Sequence, residues 1–308
     1  MKKLFIIAWA GLLLSTPLVV FGASISPSLI ELEGEQEELL ESSISIINTE
    51  STDQTYYLDT LMFTANDETG SPQFISKDQE HSGLATWIEF SADVVTVPAG
   101  SKGEVPFEVF VPDTAEAGGY YAAITVSNAP EDVVATNGAI IEAKTAVLIL
   151  LSVAGDQTVA AELLDFTQTE SASRSLIEGA YQYRVQNQGD VHILPVGSIL
   201  LKDVFGRTLA SIDANTSKGR VLPGTTRTYE AEIESSAQGW IETISEQMQS
   251  MAIGPISAVL SLEYTEGQTL NAQIDAFWII PWQLISTLIG ILILLMLVYR
   301  VGRRKSKR

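Results

Sequence analysis

Apolar and polar residues alternate with a period of two through most of the chain between residues 24 and 276. In "EVPFEVFV", for example, Val105, Phe107 and Val109 share one strand face while Glu108 lies on the other. Turn-forming runs of Asn, Pro and Gly separate such segments. The segments that we predict to be strands include 43–47, 56–62, 105–111, 120–126, 141–153, 180–185 and 198–202. Short strands at this spacing predict an all-β chain built of β-sandwiches.

A Gly-Gly pair at 118–119 precedes one of these runs, in "AGGYYAAITV". Glycines can form a phosphate-binding loop when a helix N-terminus follows them. The run after this pair is instead β-branched, alternates with period two, and lacks the Lys-Ser or Lys-Thr ending of such a loop. We therefore predict a strand that begins at a corner, with Tyr120 or Tyr121 as the corner tyrosine of a sandwich.

Three motifs of the first half recur in the same order in the second half. "ISIINTES" resembles "YRVQNQGD", "VPAGSKGEVPFEV" resembles "VLPGTTRTYEAEI", and "GGYYAAITV" resembles "GPISAVLSL". An ordered set of matches predicts two copies of one architecture. We place an immunoglobulin-like domain at 24–155 and a second one at 156–276, in which the extra segment "IETISEQMQSM" is a short helix.

The two ends of the chain indicate secretion and membrane anchoring. Residues 1–23 have a basic start, an apolar run and small residues at the exit, which predicts a signal peptide cleaved near residues 22 to 24. An uncleaved N-terminal membrane helix is the alternative. Residues 277–299 carry no charge and predict a transmembrane helix, and the basic tail 300–308 is expected to stay in the cytoplasm. The chain is then a single-pass membrane protein whose N-terminal part is extracellular.

The charge of the predicted ectodomain is strongly negative. Eight of the 18 basic residues lie in the first three or the last nine positions, so residues 24–276 hold ten basic residues and all 38 acidic ones, a net charge of −28. Such a surface disfavours nucleic acid as a partner and favours cations or basic partners, although dispersed acids also simply confer solubility. The sequence contains no cysteine, so an extracellular chain of this kind must be stabilised without disulfides.

No catalytic or metal-binding constellation stands out in the sequence. His81 and His192 have no partner histidine at a metal-ligand spacing, and "DANTSKGRVLPG" from Asp213 departs from a calcium loop in its glycine and its last position. We therefore predict no enzyme activity, no cofactor and no resident metal, while a looser cation site stays possible. Trp87 and Trp240 are the candidate binding residues because exposed aromatic rings can stack on a ligand, although core packing is the default for Trp87.

Several motifs together carry a family resemblance: "ISPSLIEL", "ATWIEFSADVVTVPAGSKGEVPFEVFVPDTAEAGGYYAAITVSN", "VQNQGDVHILPVGSILLKDVFGR", "VLPGTTRTYE" and "FWIIPW". In these motifs the chain resembles the WxL-interacting protein family of bacterial cell surfaces. The resemblance implies a peptidoglycan-binding first domain, a second domain that binds a protein partner, and a membrane anchor, but it transfers no individual binding residue. The first half also looks like the pilus-chaperone type of sandwich.

Three functions are compatible with these features. The leading one is a non-catalytic, membrane-tethered surface adaptor that contacts peptidoglycan or another surface protein. The alternative is a chaperone-like accessory that uses exposed strand edges in the assembly or secretion of surface proteins. An edge without lysine, proline or bulges favours this alternative. The third, an extracellular hydrolase, requires His81 or His192 beside a carboxylate in a cleft.

Overall fold

The computed structural model describes residues 24–129, 144–169 and 174–305. The predicted signal peptide 1–23, the start of the predicted strand 141–153, and the last residues of the predicted tail, 306–308, lie outside this range. Within it the chain is mostly β-sheet and ends in one long apolar helix, which confirms the coarse fold prediction.

The first part of the chain forms ten strands in two sheets. The strands are β1 (Ser24–Ser26), β2 (Leu29–Gly34), β3 (Leu39–Ile47), β4 (Gln54–Ala65), β5 (Pro72–Ile75), β6 (Ile88–Phe90), β7 (Val94–Val97), β8 (Lys102–Phe110), β9 (Gly118–Ser127) and β10 (Lys144–Val153). One sheet has the order β1-β3-β8-β6. The other has the order β2-β10-β9-β4-β5, and β7 also pairs with β4. The Gly-Gly pair therefore begins strand β9, as predicted, and not a helix.

The second part of the chain forms seven strands, again in two sheets. The strands are β11 (Ala161–Gln168), β12 (Gly179–Asn187), β13 (Val196–Lys202), β14 (Thr208–Asp213), β15 (Thr226–Ile233), β16 (Gly254–Thr265) and β17 (Gln268–Ile279). The sheet orders are β11-β12-β15 and β14-β13-β16-β17. Inward residues of both sheets share one core, for example Tyr183 and Val185 of β12 with Ile199 of β13 and Leu260 of β16. Two sheets around one core form a sandwich.

In the described part of the chain three helices accompany these strands: α1 (Leu84–Trp87), α2 (Trp240–Ser250) and α3 (Trp282–Lys305). The short helix predicted from "IETISEQMQSM" is α2. The predicted membrane segment begins at residue 277, but in the structure residues 277–279 still belong to β17 and the helix begins at Trp282. The reason is Pro281, because a residue before proline favours extended backbone and proline itself suits a helix start.

The contacts between residues divide the chain into two compact units. The second unit holds Phe63–Gln73, Glu116–Gly119 and the described residues after Leu151, and the first unit holds the other described residues. The domains predicted at 24–155 and 156–276 differ from these units because two short segments of the first half count with the second unit. The predicted link at 154–157 is close to the main division.

A buried asparagine organises a corner of the first unit. Asn48 is fully buried, and its Nδ2 donates hydrogen bonds to the carbonyl oxygens of Thr52 and Val97, both at 2.9 Å. Its Oδ1 accepts the backbone N–H of Glu50 at 3.0 Å, and its own N–H donates to Ser101 O at 2.9 Å. One side chain therefore replaces the backbone partners that the turn after β3 cannot supply.

The second unit repeats this corner atom for atom. Asn187 is fully buried, and its Nδ2 donates to the carbonyl oxygens of Val191 at 2.7 Å and Val221 at 2.9 Å. Its Oδ1 accepts the N–H of Gly189 at 2.9 Å, and its own N–H donates to Thr225 O at 3.0 Å. The sequence match between "ISIINTES" and "YRVQNQGD" thus reflects a shared hydrogen-bonded corner, with Asn in the same role in both units.

Candidate functional site

Trp87, the first of the two predicted binding residues, is the last residue of α1 in the first unit. It is half-buried, and its ring centroid lies 4.5 Å from that of Tyr120 at an interplanar angle of 47°. Aromatic pairs at this separation stabilise a fold beyond the area that they bury. The ring of Trp87 is therefore engaged in packing on the tyrosine that follows the Gly-Gly corner.

Trp240, the second predicted residue, begins α2 in the second unit and is 50% exposed. Its ring meets Trp282 of α3 edge-on, with centroids 5.3 Å apart, and its Nε1 donates to Thr287 Oγ1 at 3.3 Å. Trp87 and Trp240 therefore belong to different units. Trp240 is the more accessible of the two, and its surroundings are apolar helix rather than a polar cleft.

The residues considered for metal or acid–base chemistry are divided between the two units. Among residues 24–129, 144–169 and 174–305, no group of three or more His, Asp or Glu side chains is placed to hold a metal ion. Asn215 of the Asp213 segment is buried, donates through Nδ2 to Pro195 O at 2.9 Å, and accepts the N–H of Gly219 at 2.8 Å. It shapes a turn. His81 is exposed in the first unit and His192 half-buried in the second.

The edges of the sheets offer a different kind of site. In the first unit, strand β2 lies against β10, the last strand. The core-facing residues of β10, which are Val147, Ile149 and Leu151, are fully buried. A neighbouring strand on each side of β10 gives this degree of burial, since an edge position leaves one flank of the inward side chains open.

The last strand of the second unit is not covered in this way. Strand β17 pairs with β16, and no strand in the described part of the chain pairs with its other edge. Its inward residues Leu270, Ala272 and Ile274 pack against the core of the unit but are only half-buried. In β10, which has a neighbouring strand on each side, the corresponding inward side chains are fully buried.

The free edge of β17 is long and regular. The strand has 12 residues, and Asp275 is its only charged residue. From Thr269 to Asp275 its register with β16 runs without interruption, and the shifts lie beyond both ends of this stretch. Edge strands are normally protected by lysine, proline, bulges or short length. The stretch of β17 from Thr269 to Ile274 has no charged residue, no proline and no bulge.

Other open edges are less suitable for an added strand. At β15 the N–H of Thr228 already donates to Glu68 O at 2.6 Å. Glu68 in turn accepts two hydrogen bonds from Arg184, which hold the pKa of the Glu68 carboxyl below its usual value. β11 has a register shift between Leu163 and Asp165, and β2 carries two exposed glutamates among its six residues. β17 is therefore the candidate site.

A groove of about 590 Å³ in the first unit is lined in part by residues 57–60 of β4, a strand that pairs with β9, β5 and β7. Here the chain bonds its own backbone groups: the N–H of Leu58 donates to Asp93 O at 2.8 Å, and the N–H of Thr60 donates to its neighbour Asp59 at 2.7 Å. Lys77 pairs with Asp59 across the groove. Because these backbone N–H groups already have acceptors, few of them are left to form hydrogen bonds with an added strand.

The β17 edge was not among the strands predicted from the sequence. The signal is present, because Leu270, Ala272, Ile274 and Ala276 alternate with polar residues. The adjacent apolar run conceals where the strand ends and the helix begins. The edge of β17 is unpaired because β11, the first strand of the unit, pairs elsewhere. Periodicity does not encode which strand β11 pairs with.

No family model and no curated protein sequence matches the chain. Solved structures with a similar fold include the class 5 fimbriae chaperone CfaA, which is 11% identical, with a TM-score of 0.42 over 83% of this chain and all of that one. The Escherichia coli chaperone DraB is 9% identical, with a TM-score of 0.37 over 84% of this chain and 97% of its own. The Pseudomonas aeruginosa CupB2 chaperone is also 9% identical, with a TM-score of 0.37 over 82% of this chain and all of its own. At such low values the likeness carries no argument about function.

Proposed function

We propose that this chain is a non-catalytic, membrane-tethered surface protein with two immunoglobulin-like sandwiches in tandem, of the WxL-interacting kind. Helix α3 contains a stretch, Trp282–Arg303, that is long and apolar enough to cross a membrane. The predicted signal peptide and the basic residues in and after the last turns of α3 favour an extracellular ectodomain and a cytoplasmic C-terminus.

The function that the geometry supports best is capture of an extended segment of another protein at the edge of β17. The observation that carries this proposal is the uncovered row Leu270, Ala272 and Ile274 beside a regular, unprotected strand edge. An added strand would supply backbone hydrogen bonds and bury that row, at roughly 25 cal/mol per Å² of apolar surface. A partner segment with alternating apolar residues fits, because alternate side chains of an added strand face the core.

This mode of binding favours the chaperone-like accessory over the peptidoglycan adaptor. A polysaccharide has no backbone N–H row with which to extend a sheet, whereas a surface protein passing through the membrane exposes such segments before it folds. Peptidoglycan binding stays a prediction of the family resemblance alone.

The test places a photo-crosslinking amino acid at position 273 of the full-length chain, in the cell that naturally makes it. Gln273 is exposed on β17, so the label lies beside the added strand. We expect a protease-sensitive adduct with a second protein. The matched control has the label at Ser211, which is exposed on β14 at the opposite edge of the same sheet, where we expect no such adduct.

Two proline variants, Asn271→Pro and Ala272→Pro, then test the edge itself. Neighbouring residues of an antiparallel strand point their N–H groups to opposite sides, so one variant removes a donor from the free edge and the other breaks the ladder to β16. The variant that keeps the normal melting temperature should lose the adduct. An adduct that persists in it, or one sensitive to a peptidoglycan hydrolase instead of a protease, contradicts strand addition.

A further inference from the structure

Helix α2 is oriented opposite to the usual surface helix. Trp240, Ile241 and Met248 lie within one 100° sector and are 50%, 82% and 59% exposed, whereas Thr243 and Gln247 face inward and are buried. A surface helix of a soluble domain normally buries its apolar stripe and exposes its polar one. An apolar face presented outward is typical of a surface that another phase or molecule covers.

The buried face of α2 fixes the start of α3. Gln247 Oε1 accepts the backbone N–H of Leu284 at 2.9 Å, and Gln247 Nε2 donates to Gln283 Oε1 at 2.6 Å and to Ser175 O at 3.0 Å. The first N–H groups of a helix have no partner within the helix, so Gln247 acts as a cap supplied from outside. α2 therefore lies directly beside the first turn of the membrane helix.

The contacts of Trp240 show how far along α3 the exposed apolar face of α2 lies. Its indole N–H donates to Thr287, which is five residues after the first residue of α3. At about 1.5 Å per residue, the ring lies about 7.5 Å along the membrane helix from its start. Interfacial helices bury their apolar faces about 5–10 Å into the boundary between headgroups and acyl chains.

A second element brings apolar side chains to the same end of the unit. Val204 and Phe205, in the turn between β13 and β14, are 58% and 87% exposed. Asp203 holds this turn, because its Oδ1 accepts the N–H groups of Phe205 at 3.0 Å and Arg207 at 2.9 Å. Arg207 Nη2 donates to Met251 O at 3.1 Å, just after α2. The tip is therefore a braced loop next to the helix.

Exposed apolar residues are concentrated at this one end. Of the eleven large apolar residues exposed between positions 152 and 281 of the described chain, only Leu164 and Val196 lie elsewhere. The other nine, which we call the apolar base, are Val204, Phe205, Trp240, Ile241, Met248, Met251, Ile253, Trp278 and Ile280. They surround the end of the β14-β13-β16-β17 sheet from which α3 departs. At this end of the sheet the last residues of β13 and the last residues of β17 both pair with the first residues of β16.

We propose that the apolar base lies in the headgroup region of the bilayer that α3 crosses. The second unit then rests on the membrane with a fixed orientation. The inference depends on the proposed membrane anchoring. A lipid surface is the occupant that fits, because the base is continuous with the membrane helix and carries tryptophans, which favour this boundary. Since the ectodomain is strongly acidic, apolar insertion and not attraction to anionic lipid must drive the contact.

The absence of native cysteine allows a direct test with single thiols on the full-length chain. Met248→Cys, Phe205→Cys, Gln249→Cys and Leu292→Cys are each labelled with a polarity-sensitive fluorophore and reconstituted in phosphatidylcholine vesicles. Lipids with shallow or deep nitroxides and aqueous iodide serve as quenchers. Gln249 is the matched control, because it is exposed on α2 and lies 100° round the helix from Met248.

We expect the labels at positions 248 and 205 to be quenched by shallow nitroxides, with iodide quenching severalfold weaker than at position 249. The position 292 label, in the middle of α3, should be quenched by deep nitroxides. If position 292 is not quenched by lipid, the anchoring in the proposed function fails. If position 292 is quenched but position 248 is as open to iodide as position 249, only the apolar-base proposal fails.

A third outcome would assign the face to a different occupant. If the position 248 label is shielded from iodide and also from both nitroxides, and a bifunctional maleimide joins two copies through this position, then a second copy of the chain covers the base. That result overturns the lipid proposal. Position 205 keeps the test valid if Met248→Cys disturbs α2, because a side chain that is 87% exposed has little packing to lose.

Discussion

In the first unit strand β2 pairs with the outer edge of the last strand, β10, whereas in the second unit no described strand pairs with the outer edge of the last strand, β17. Both units use the same asparagine corner, so the difference does not come from a different sandwich plan. It comes from the first strand. Pro27 separates β1, which pairs with β3, from β2, which crosses to β10, while β11 pairs with β12 over its whole length. One architecture thus gives one unit whose last strand is paired on both sides and one whose last strand is paired on one side.

The largest effect that we expect comes from the corner the units share. Asn48→Ala and Asn187→Ala should each lower the free energy of unfolding of its own unit by about 3–4 kcal/mol, because each leaves two carbonyls and one N–H of the corner without a partner. Peptide-resolved hydrogen exchange of the full-length chain in phosphatidylcholine nanodiscs reads the two units separately. Asn128→Ala, at an exposed position, is the control.

A large difference between the two corner variants would contradict their equivalence. If Asn187→Ala is tolerated while Asn48→Ala is not, then the hydrogen bonds of the second corner do not stabilise it, and the match between the units is one of shape only.

The next largest effect is expected at alkaline pH, where the stabilities of the two units should differ. In the second unit burial raises the pKa of Tyr181 to about 12 and also raises the pKa values of Tyr183 and Tyr229. In the first unit a clear rise is found for Tyr56, through burial and then the nearby Glu50 carboxylate. When the pKa of a tyrosine is higher in the folded state, the tyrosine loses its proton at a lower pH in the unfolded state than in the folded state. The stabilisation is therefore complete below about pH 10 and is lost as pH rises toward 12.

The measurement is hydrogen exchange between about pH 9 and pH 11, corrected for the intrinsic rate, together with phenolate absorbance. We expect the protection of the second unit to fall before that of the first. Equal loss in both units, or phenolate absorbance that develops fully near pH 10 without unfolding, would contradict burial of these three hydroxyls.

A smaller effect distinguishes two tyrosines of the same strand. Tyr183 Oη donates to Ala214 O at 2.7 Å, whereas the buried Tyr181 Oη has no partner among the described residues. Tyr183→Phe should therefore cost about 1–2 kcal/mol, because it leaves the Ala214 carbonyl unsatisfied, while Tyr181→Phe should be neutral or slightly stabilising. Thermal unfolding of the two variants checks this. A cost for Tyr181→Phe equal to that of Tyr183→Phe would indicate a partner such as bound water at Tyr181.

The sequence predicts strands β3, β4, β8, β9, β10, β12 and β13, the strand that begins at the Gly-Gly corner among them, and helix α2. Each depends on local periodicity or on short turn motifs. The sequence does not predict the free edge of β17 or the inverted face of α2. Whether the edge of β17 is paired depends on which strand β11 pairs with. Which face of α2 packs inward depends on the hydrogen bond from Gln247 to Gln283 at the start of α3, 36 positions further along the chain. The apolar stripe of Trp240, Ile241 and Met248 is visible in the sequence, but periodicity does not say which face packs inward.

The smallest effect concerns the sequence-predicted residue Trp87. Because its ring packs on Tyr120, Trp87→Leu should lower the stability of the first unit by about 1 kcal/mol through loss of the aromatic pair and some buried area. It should leave the photo-crosslink at position 273 unchanged, since that site belongs to the second unit. A lost crosslink with unchanged stability would instead make Trp87 a binding residue, as the sequence first suggested. The first unit would then share in binding, and the two units would differ in their mode of binding.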